Sequence, residues 1–265
     1  MKKAKHSEVK KDPKRSCYTF RAFRKYKAIA GFSTRRYRVN FTPESRNSIT
    51  IAHRKAFCDS IGVPFDHVVC LEQVHGANIV RLGAGEGGKG TRSNADVIKG
   101  TDAALTDEPG ITLAIRSADC VPLFFLDARH RAIGMAHIGW RGASERLASK
   151  VVQAFRRQFL SKPNDLIIGI GPTIRSCCYE VGSEFRDVFG HFIVKREAGF
   201  YFDLVGWVLE ELRSEGIEAK QVRDSLFCTS CLNDEFPSYR KESTNVRHMW
   251  SILSLEESRP KRRKL

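Results

Sequence analysis

Residues 111–142 run ITLAIRSADCVPLFFLDARHRAIGMAHIGWRG. The apolar run through 111–114 and 121–126 has the near-continuous pattern of a strand covered on both faces. After a turn at 127–131, residues 132–136 repeat it. The stretch therefore predicts two buried, adjacent strands, each ending on a reactive side chain. Asp119 and Cys120 interrupt the first just before Pro122. His137 closes the second, ahead of Gly139, Trp140, Arg141 and Gly142, which open a helix. A thiolate and a neutral imidazole are both nucleophiles and both zinc ligands, so Cys120 and His137 form a candidate reactive pair.

Outward from this hairpin the chain alternates strands and helices. Residues 18–22 and 29–33 read as strands around a turn at 25–27, and Asn47 or Ser48 can cap a helix reaching about Ser60. Residues 67–74 form a strand that delivers His75. Residues 83–90, GAGEGGKG, form a flexible polar loop expected near the mouth of the site. They lack the strand–turn–helix context and the Lys-Ser/Thr ending of a P-loop. Downstream, 143–159 is an amphipathic helix and Leu166–Ile170 a buried strand. Helices follow near 183–189 and over Leu204–Ser214, the latter capped by Asp203, and residues 225–228 and 249–252 are short strands. With no internal repeat and no linker, this order predicts one mixed α+β domain of layered sheets and helices over residues 17–257.

Composition narrows the function classes. No apolar run approaches the roughly 20 residues of a membrane span. The N-terminus has no apolar stretch of the secretory kind, so a cytoplasmic protein is expected. The net charge of +15 gathers at the ends, with +5 in residues 1–16 and +5 in residues 258–265. These ends read as disordered, solubilising basic tails. The body shows no interleaved basic and aromatic stripe, so a nucleic-acid partner is not expected. Eight cysteines in a reducing compartment read as thiols or metal ligands rather than disulfides. Cys228-x-x-Cys231 with Cys177-Cys178 suggests a four-thiolate site, but adjacent cysteines rarely share one tetrahedral ion, which favours packed thiols.

Four motifs in order carry a family resemblance: LEQVHG at 71–76, ADCVPLFFLD followed by AHIGWRG, IGIGPTIRSCCYEVG at 168–182, and Cys228-Thr229 with Phe236 and Ser238-Tyr239-Arg240. The chain resembles the polyphenol-oxidase (laccase-domain) family over nearly its whole length. The resemblance implies a fold like that of the cytotoxic-necrotizing-factor-like cysteine hydrolases. It also implies a zinc-dependent purine nucleoside phosphorylase, converting adenosine, inosine, guanosine or methylthioadenosine to base and ribose 1-phosphate, with adenosine deaminase as a second activity. His75, Cys120 and His137 would be the metal ligands and the catalytic centre; three N and S donors leave the fourth zinc position open. Arg54 stands where the family binds phosphate, in a His53-Arg54 pair that replaces Asn-Arg. Asn40 would contact ribose or phosphate, although Arg35-Arg36-Tyr37-Arg38 stands where relatives carry a glycine pair. Arg141, at a helix start, can hold an anion, and Asp119 can fix a turn or support a ligand imidazole.

Other chemistries remain open at this level. A metal-free hydrolase would use His75 or His137 to activate Cys120 as nucleophile. Some bacterial relatives are associated with editing of peptidoglycan precursors. Copper oxidase chemistry fits poorly: it needs paired His-x-His units, and the chain has eight histidines and no His-x-His.

Overall fold

The central strands at 121–126 and 132–138 are apolar on both faces because each face meets a different layer. The computed structural model describes residues 8–40 and 47–256. In chain order the strands begin with β1 Val9–Asp12, β2 Cys17–Phe20, β3 Ala28–Ser33, β4 Val68–Cys70 and β5 Ile79–Arg81. There follow β6 Ala103–Thr106, β7 Thr112–Ser117, β8 Val121–Asp127, β9 Ala132–Ile138 and β10 Leu166–Ile170. The last are β11 Glu180–Val181, β12 Ile193–Arg196, β13 Gly199–Phe202, β14 Val222–Asp224 and β15 Met249–Leu255. They form a first sheet ordered β1-β2-β3-β15-β7-β4, a second ordered β14-β10-β8-β9-β6-β5, and a small β11-β13-β12 sheet.

Side-chain alternation then builds the layers. Phe124 and Leu126 of β8 join Phe20, Phe32, Ile115 and Met135 between the two large sheets. Leu123 and Phe125 point the other way, onto Val151, Phe155 and Val208 of the helices Leu147–Phe159 and Leu204–Ser214. On the outer face of the first sheet, Trp250 and Ile252 pack against Phe57 of the helix Asn47–Ile61. The result is the expected mixed fold: a helix, two sheets and a helical layer. Asp203 caps its helix by accepting from the Gly206 N–H, as its sequence position suggests.

Several expected boundaries move. The long first strand of the hairpin is two strands, β7 in the first sheet and β8 in the second. Asp119 between them has φ +89°, which an extended chain cannot hold, so the backbone turns and crosses from sheet to sheet. The strand expected at 67–74 stops at Cys70, and residues 71–78 make a second crossing, from β4 to β5. Residues 143–159 are not one helix: Trp140–Ser144 ends before Arg146, whose φ of +60° separates it from Leu147–Phe159. The strand expected at 225–228 lies earlier, at β14, and Cys228 makes only an isolated bridge to Thr173. Within the basic N-terminus, Val9–Asp12 pairs with Cys17–Phe20, so the tail expected over 1–16 is a strand in part. The rest of both expected tails, 1–7 and 257–265, lies outside the described residues. The glycine loop is no rim of the site: it packs on β4, with Gly88 N–H donating to the Val68 carbonyl at 2.9 Å and Cys70 N–H to Lys89 at 2.9 Å. No described helix is long and apolar enough to cross a membrane.

Candidate metal centre and cavity

The two crossings between sheets carry His75 and Cys120 to the same place, where β9 ends on His137. The ligand atoms of these three residues all lie within 4.8 Å of one another. The two imidazoles meet edge to face, with ring centroids 4.8 Å apart. Gly139 leaves them room: a Cβ there would stand 3.0 Å from the Cys120 sulfur and 3.4 Å from His75 Cδ2. All three sequence-predicted ligands are therefore brought together.

Asp102, at the head of β6, organises the cluster. Its carboxylate accepts the backbone N–H groups of Val74 (3.1 Å), His75 (3.0 Å) and Gly76 (2.8 Å). Those bonds hold a turn in which His75 has φ +61°. The same carboxylate accepts His137 Nδ1–H at 2.9 Å, which leaves Nε2 as the ring's remaining donor or ligand atom. Burial pushes the Asp102 carboxyl up, but the bonds from His137, Gly76 and His75 outweigh it and hold the group below its ordinary range. Burial also raises the Cys120 thiol, yet the neighbouring His137 charge and hydrogen bonds from both imidazoles bring it down to about 6. His137 is shifted the other way: burial lowers it, and Cys120 with Asp102 raises it to about 9. Three N and S donors on one side of an open cavity, with a carboxylate behind one imidazole, suit a zinc-type ion with a free fourth position.

The cluster faces a cavity of about 930 Å³. One part of the wall is aromatic: Trp140, Phe185, Tyr179 and Tyr239. Trp140 and Phe185 lie 5.3 Å apart between centroids. Arg116, Arg141 and Arg240 supply positive charge on the same wall. Arg116 donates to the carbonyls of Leu71 (3.3 Å) and Glu72 (3.2 Å), and Gln73 clamps its backbone N–H and carbonyl. Arg141 rests over the Trp140 ring at 4.4 Å. Asn40 lines the cavity as expected and its side-chain amide meets His248 Nδ1 at 2.5 Å. Burial, and then the Arg116 charge, lower His248 to about 4, so it stays neutral near pH 7.

Arg54 lies away from the cavity wall, and Asp119 takes the first of its two expected roles. Arg54 is fully buried, is absent from the cavity wall, and donates to the carbonyls of Val39 (2.7 Å), Gly90 (2.7 Å) and Thr91 (2.9 Å). With its guanidinium 4.8 Å from the Trp250 ring, it ties the segment before Asn40 to the glycine loop. Asp119 lines the cavity, but its carboxylate accepts Thr229 Oγ1–H (2.5 Å) and the Arg240 N–H (2.7 Å). It fixes the turn before Cys120, and the imidazole it was expected to support is held by Asp102 instead. Sequence reasoning missed Asp102, Arg116, Arg240, His248 and Tyr179. Arg116 had a signal, a lone charge inside ITLAIRS, and Arg240 stands in a quoted motif; Asp102 in GTDAAL had none.

Comparison with known proteins agrees with this fold. Residues 28–256 match the family described as multi-copper polyphenol oxidoreductase laccase. The chain is 30% identical over 216 residues to the purine nucleoside phosphorylase YlmD of Geobacillus stearothermophilus, covering 78% of this chain and 79% of that protein. It is 31% identical over 186 residues to the purine nucleoside phosphorylase YfiH of Escherichia coli, covering 68% and 70%. The crystal structure of the Geobacillus stearothermophilus YlmD superposes with a TM-score of 0.86 at 26% identity, over 94% of this chain and 99% of that one. The match across most of its length, with the fold to go with it, makes this chain a member of the polyphenol oxidoreductase (laccase-domain) family.

Proposed function

We propose that the chain is a purine nucleoside phosphorylase whose resident metal is zinc, held by His75, Cys120 and His137. The observation that carries this reading is the cavity: a three-donor N and S cluster, an aromatic wall and three arginines line one space of about 930 Å³. Zinc bound there supplies Lewis acidity and brings the pKa of a bound water toward neutrality. The relatives named purine nucleoside phosphorylase support the substrate class.

The chain's own residues divide the remaining work. Trp140 and Phe185, with Tyr179, offer flat apolar surface to a purine. Arg116, Arg141 and Arg240 hold phosphate, which suits guanidinium geometry and charge. Asn40 and neutral His248 hydrogen-bond ribose hydroxyls. Held this way, a phosphate oxygen bonds to C1′ as the bond from C1′ to the base breaks, giving free base and ribose 1-phosphate. Positioning and concentrated charge carry such a reaction. Asp102 keeps His137 in one orientation throughout. Deamination of adenosine, with water replacing the exocyclic amine, is the second activity of the same cavity.

The test is metal analysis of the purified chain, with adenosine, inosine and guanosine supplied with and without phosphate. About one zinc at this cluster, with ribose 1-phosphate formed only when phosphate is present, supports the reading. Zinc without nucleoside turnover overturns it. The contact of Cys120 with His137 favours a second reading: the His137 charge and both imidazole hydrogen bonds draw the thiol down, and Cys120 with Asp102 draws His137 up, toward a thiolate–imidazolium pair. Such a pair suits a metal-free hydrolase in which Cys120 is the nucleophile. Full hydrolytic activity in metal-free protein would select it.

A further inference from the structure

Cys177, Cys178, Cys228 and Cys231 come from two irregular loops, yet their sulfurs all lie within 4.8 Å of one another. Cys231 stands 3.5 Å from Cys177 and 3.4 Å from Cys178, sulfur to sulfur. Four sulfurs arranged tetrahedrally at about 2.3 Å from a zinc ion stand roughly 3.8 Å apart. The two spacings to Cys231 fall a few tenths of an ångström short of that edge, and no pair exceeds 4.8 Å. The objection from adjacency disappears in the turn itself. Cys178 N–H and Tyr179 N–H both donate to the Arg175 carbonyl, at 2.8 and 2.9 Å. This coils residues 175–179 tightly enough for neighbouring side chains to face the same partner loop.

Packed thiols look different in this chain. Cys17, Cys58 and Cys70 are buried in the layer under the helix Asn47–Ile61. Of the four clustered thiols only Cys228 is buried, and Cys177 and Cys231 are exposed. An exposed thiol gains nothing from apolar packing, and free cysteine is ordinarily among the most buried residues.

We propose that Cys177, Cys178, Cys228 and Cys231 form a structural zinc site of four thiolates, separate from the His75, Cys120 and His137 centre. Binding displaces the four thiol protons to solvent and forms four zinc–sulfur bonds, with no change of oxidation state. Four protein ligands close the coordination sphere, so the ion binds no substrate. It acts as a staple. The two loops are also joined by the isolated bridge of Thr173 to Cys228 and by Arg175, which pairs with Asp224 and donates to the Phe227 carbonyl. Both loops also grip the turn before Cys120: Thr173 Oγ1–H and Ile174 N–H donate to the Asp119 carbonyl, and Thr229 Oγ1–H to its carboxylate. The first loop continues into Tyr179 and Glu180 of the cavity wall. Zinc at the four thiols therefore fixes the wall and the turn that presents Cys120.

The experiment is metal counting on the full chain, purified reduced and without added metal. The wild type should carry two zinc ions, His75→Ala/Cys120→Ala one, and Cys228→Ser/Cys231→Ser one, with a melting temperature lower by at least about 5 °C. In His75→Ala/Cys120→Ala protein, cobalt(II) in place of zinc should give the intense thiolate charge-transfer absorption of a tetrahedral four-sulfur site. That measurement stands even where the serine variant fails to fold. The proposal is overturned by a His75→Ala/Cys120→Ala protein that holds no zinc and binds no cobalt. It is equally overturned by a Cys228→Ser/Cys231→Ser protein with the wild-type metal content. A reduced-then-reoxidised wild type lacking metal and lighter by one disulfide's two hydrogens, as its resting state, would overturn it in favour of a redox pair.

Discussion

Two clusters of sulfur and nitrogen donors flank the same turn at Asp119, and they are built in opposite ways. His75, Cys120 and His137 sit where strands end or change sheets, on backbone whose direction the sandwich fixes, and they open onto a cavity. The four cysteines sit on loops joined by one β-bridge and by the Arg175–Asp224 ion pair, and they face solvent in part. The first cluster has three protein donors and a carboxylate to orient one of them; the second has four donors. Rigid scaffold and an incomplete donor set belong to chemistry. A complete donor set on loops belongs to stability, because an ion there adds order of the kind that the strands supply elsewhere.

The largest effect should come from removing a donor of the open cluster. Cys120→Ser should lower kcat/KM for inosine phosphorolysis by about 10³-fold or more, since Lewis-acid stabilisation is worth several kcal/mol. Its melting temperature should stay close to wild type. Asp102→Ala should cost about 10–100-fold in metal affinity, the usual effect of losing the carboxylate behind a ligand histidine. It also frees three backbone N–H groups of the His75 turn, so metal titration should show a broader deficit than Asp102→Asn. Equal activity in Asp102→Ala and wild type would remove Asp102 from the centre.

Chelation should separate the clusters next. A three-ligand site with an exposed fourth position should release its ion first, with activity lost and the melting temperature nearly unchanged. The four-thiolate ion should leave later and take several degrees with it, about 2–4 °C for each kcal/mol at this chain length. Simultaneous release would mean that the two clusters are not independent.

What was legible in the sequence follows the same division. His75, Cys120 and His137 could be read because each interrupts or closes an apolar run, so the strand pattern itself points at them. The break between β7 and β8 could not: Thr112–Ser117 and Val121–Asp127 are apolar on both sides of Asp119, and pattern cannot say that one run serves two sheets. Asp102 was hidden because a single acid before a strand is ordinary, and its four hydrogen-bond partners lie 26 to 35 residues away in sequence. The adjacency of Cys177 and Cys178 did not show the turn that brings both sulfurs within 4.8 Å of Cys228 and Cys231. For Arg54, position along a helix does not reveal whether a guanidinium meets a cavity or three carbonyls.

The arginines make that last point measurable. Arg141→Ala should raise the KM for phosphate about tenfold, the worth of one charge-assisted hydrogen bond of roughly 1.5 kcal/mol, and leave folding intact. Arg54→Met should do the reverse. It strands the carbonyls of Val39, Gly90 and Thr91 and should lower the melting temperature by about 5–10 °C. Its phosphate KM should stay within about twofold in the protein that folds. A large phosphate effect in Arg54→Met at unchanged stability would return that arginine to the substrate.

The smallest expected effect is a difference in thiol reactivity, read in metal-free protein by iodoacetamide labelling and peptide mass analysis. The imidazolium of His137 and the two imidazole hydrogen bonds hold the Cys120 thiol at about 6 despite its burial. Burial and a hydrogen bond with Cys178 push the Cys231 thiol upward. A lowered pKa means more thiolate as pH rises through it, so Cys120 labelling should climb about tenfold between pH 5 and pH 7 and then level off. Cys231 should still be accelerating above pH 8. At pH 7, then, the less exposed thiol should react first, against simple accessibility. His137, held up to about 9, keeps its charge across this window, so His137→Gln should move the Cys120 midpoint upward. Labelling of Cys231 ahead of Cys120 at pH 7 would mean that exposure rather than the His137 charge decides reactivity, and the two clusters would then differ in architecture alone.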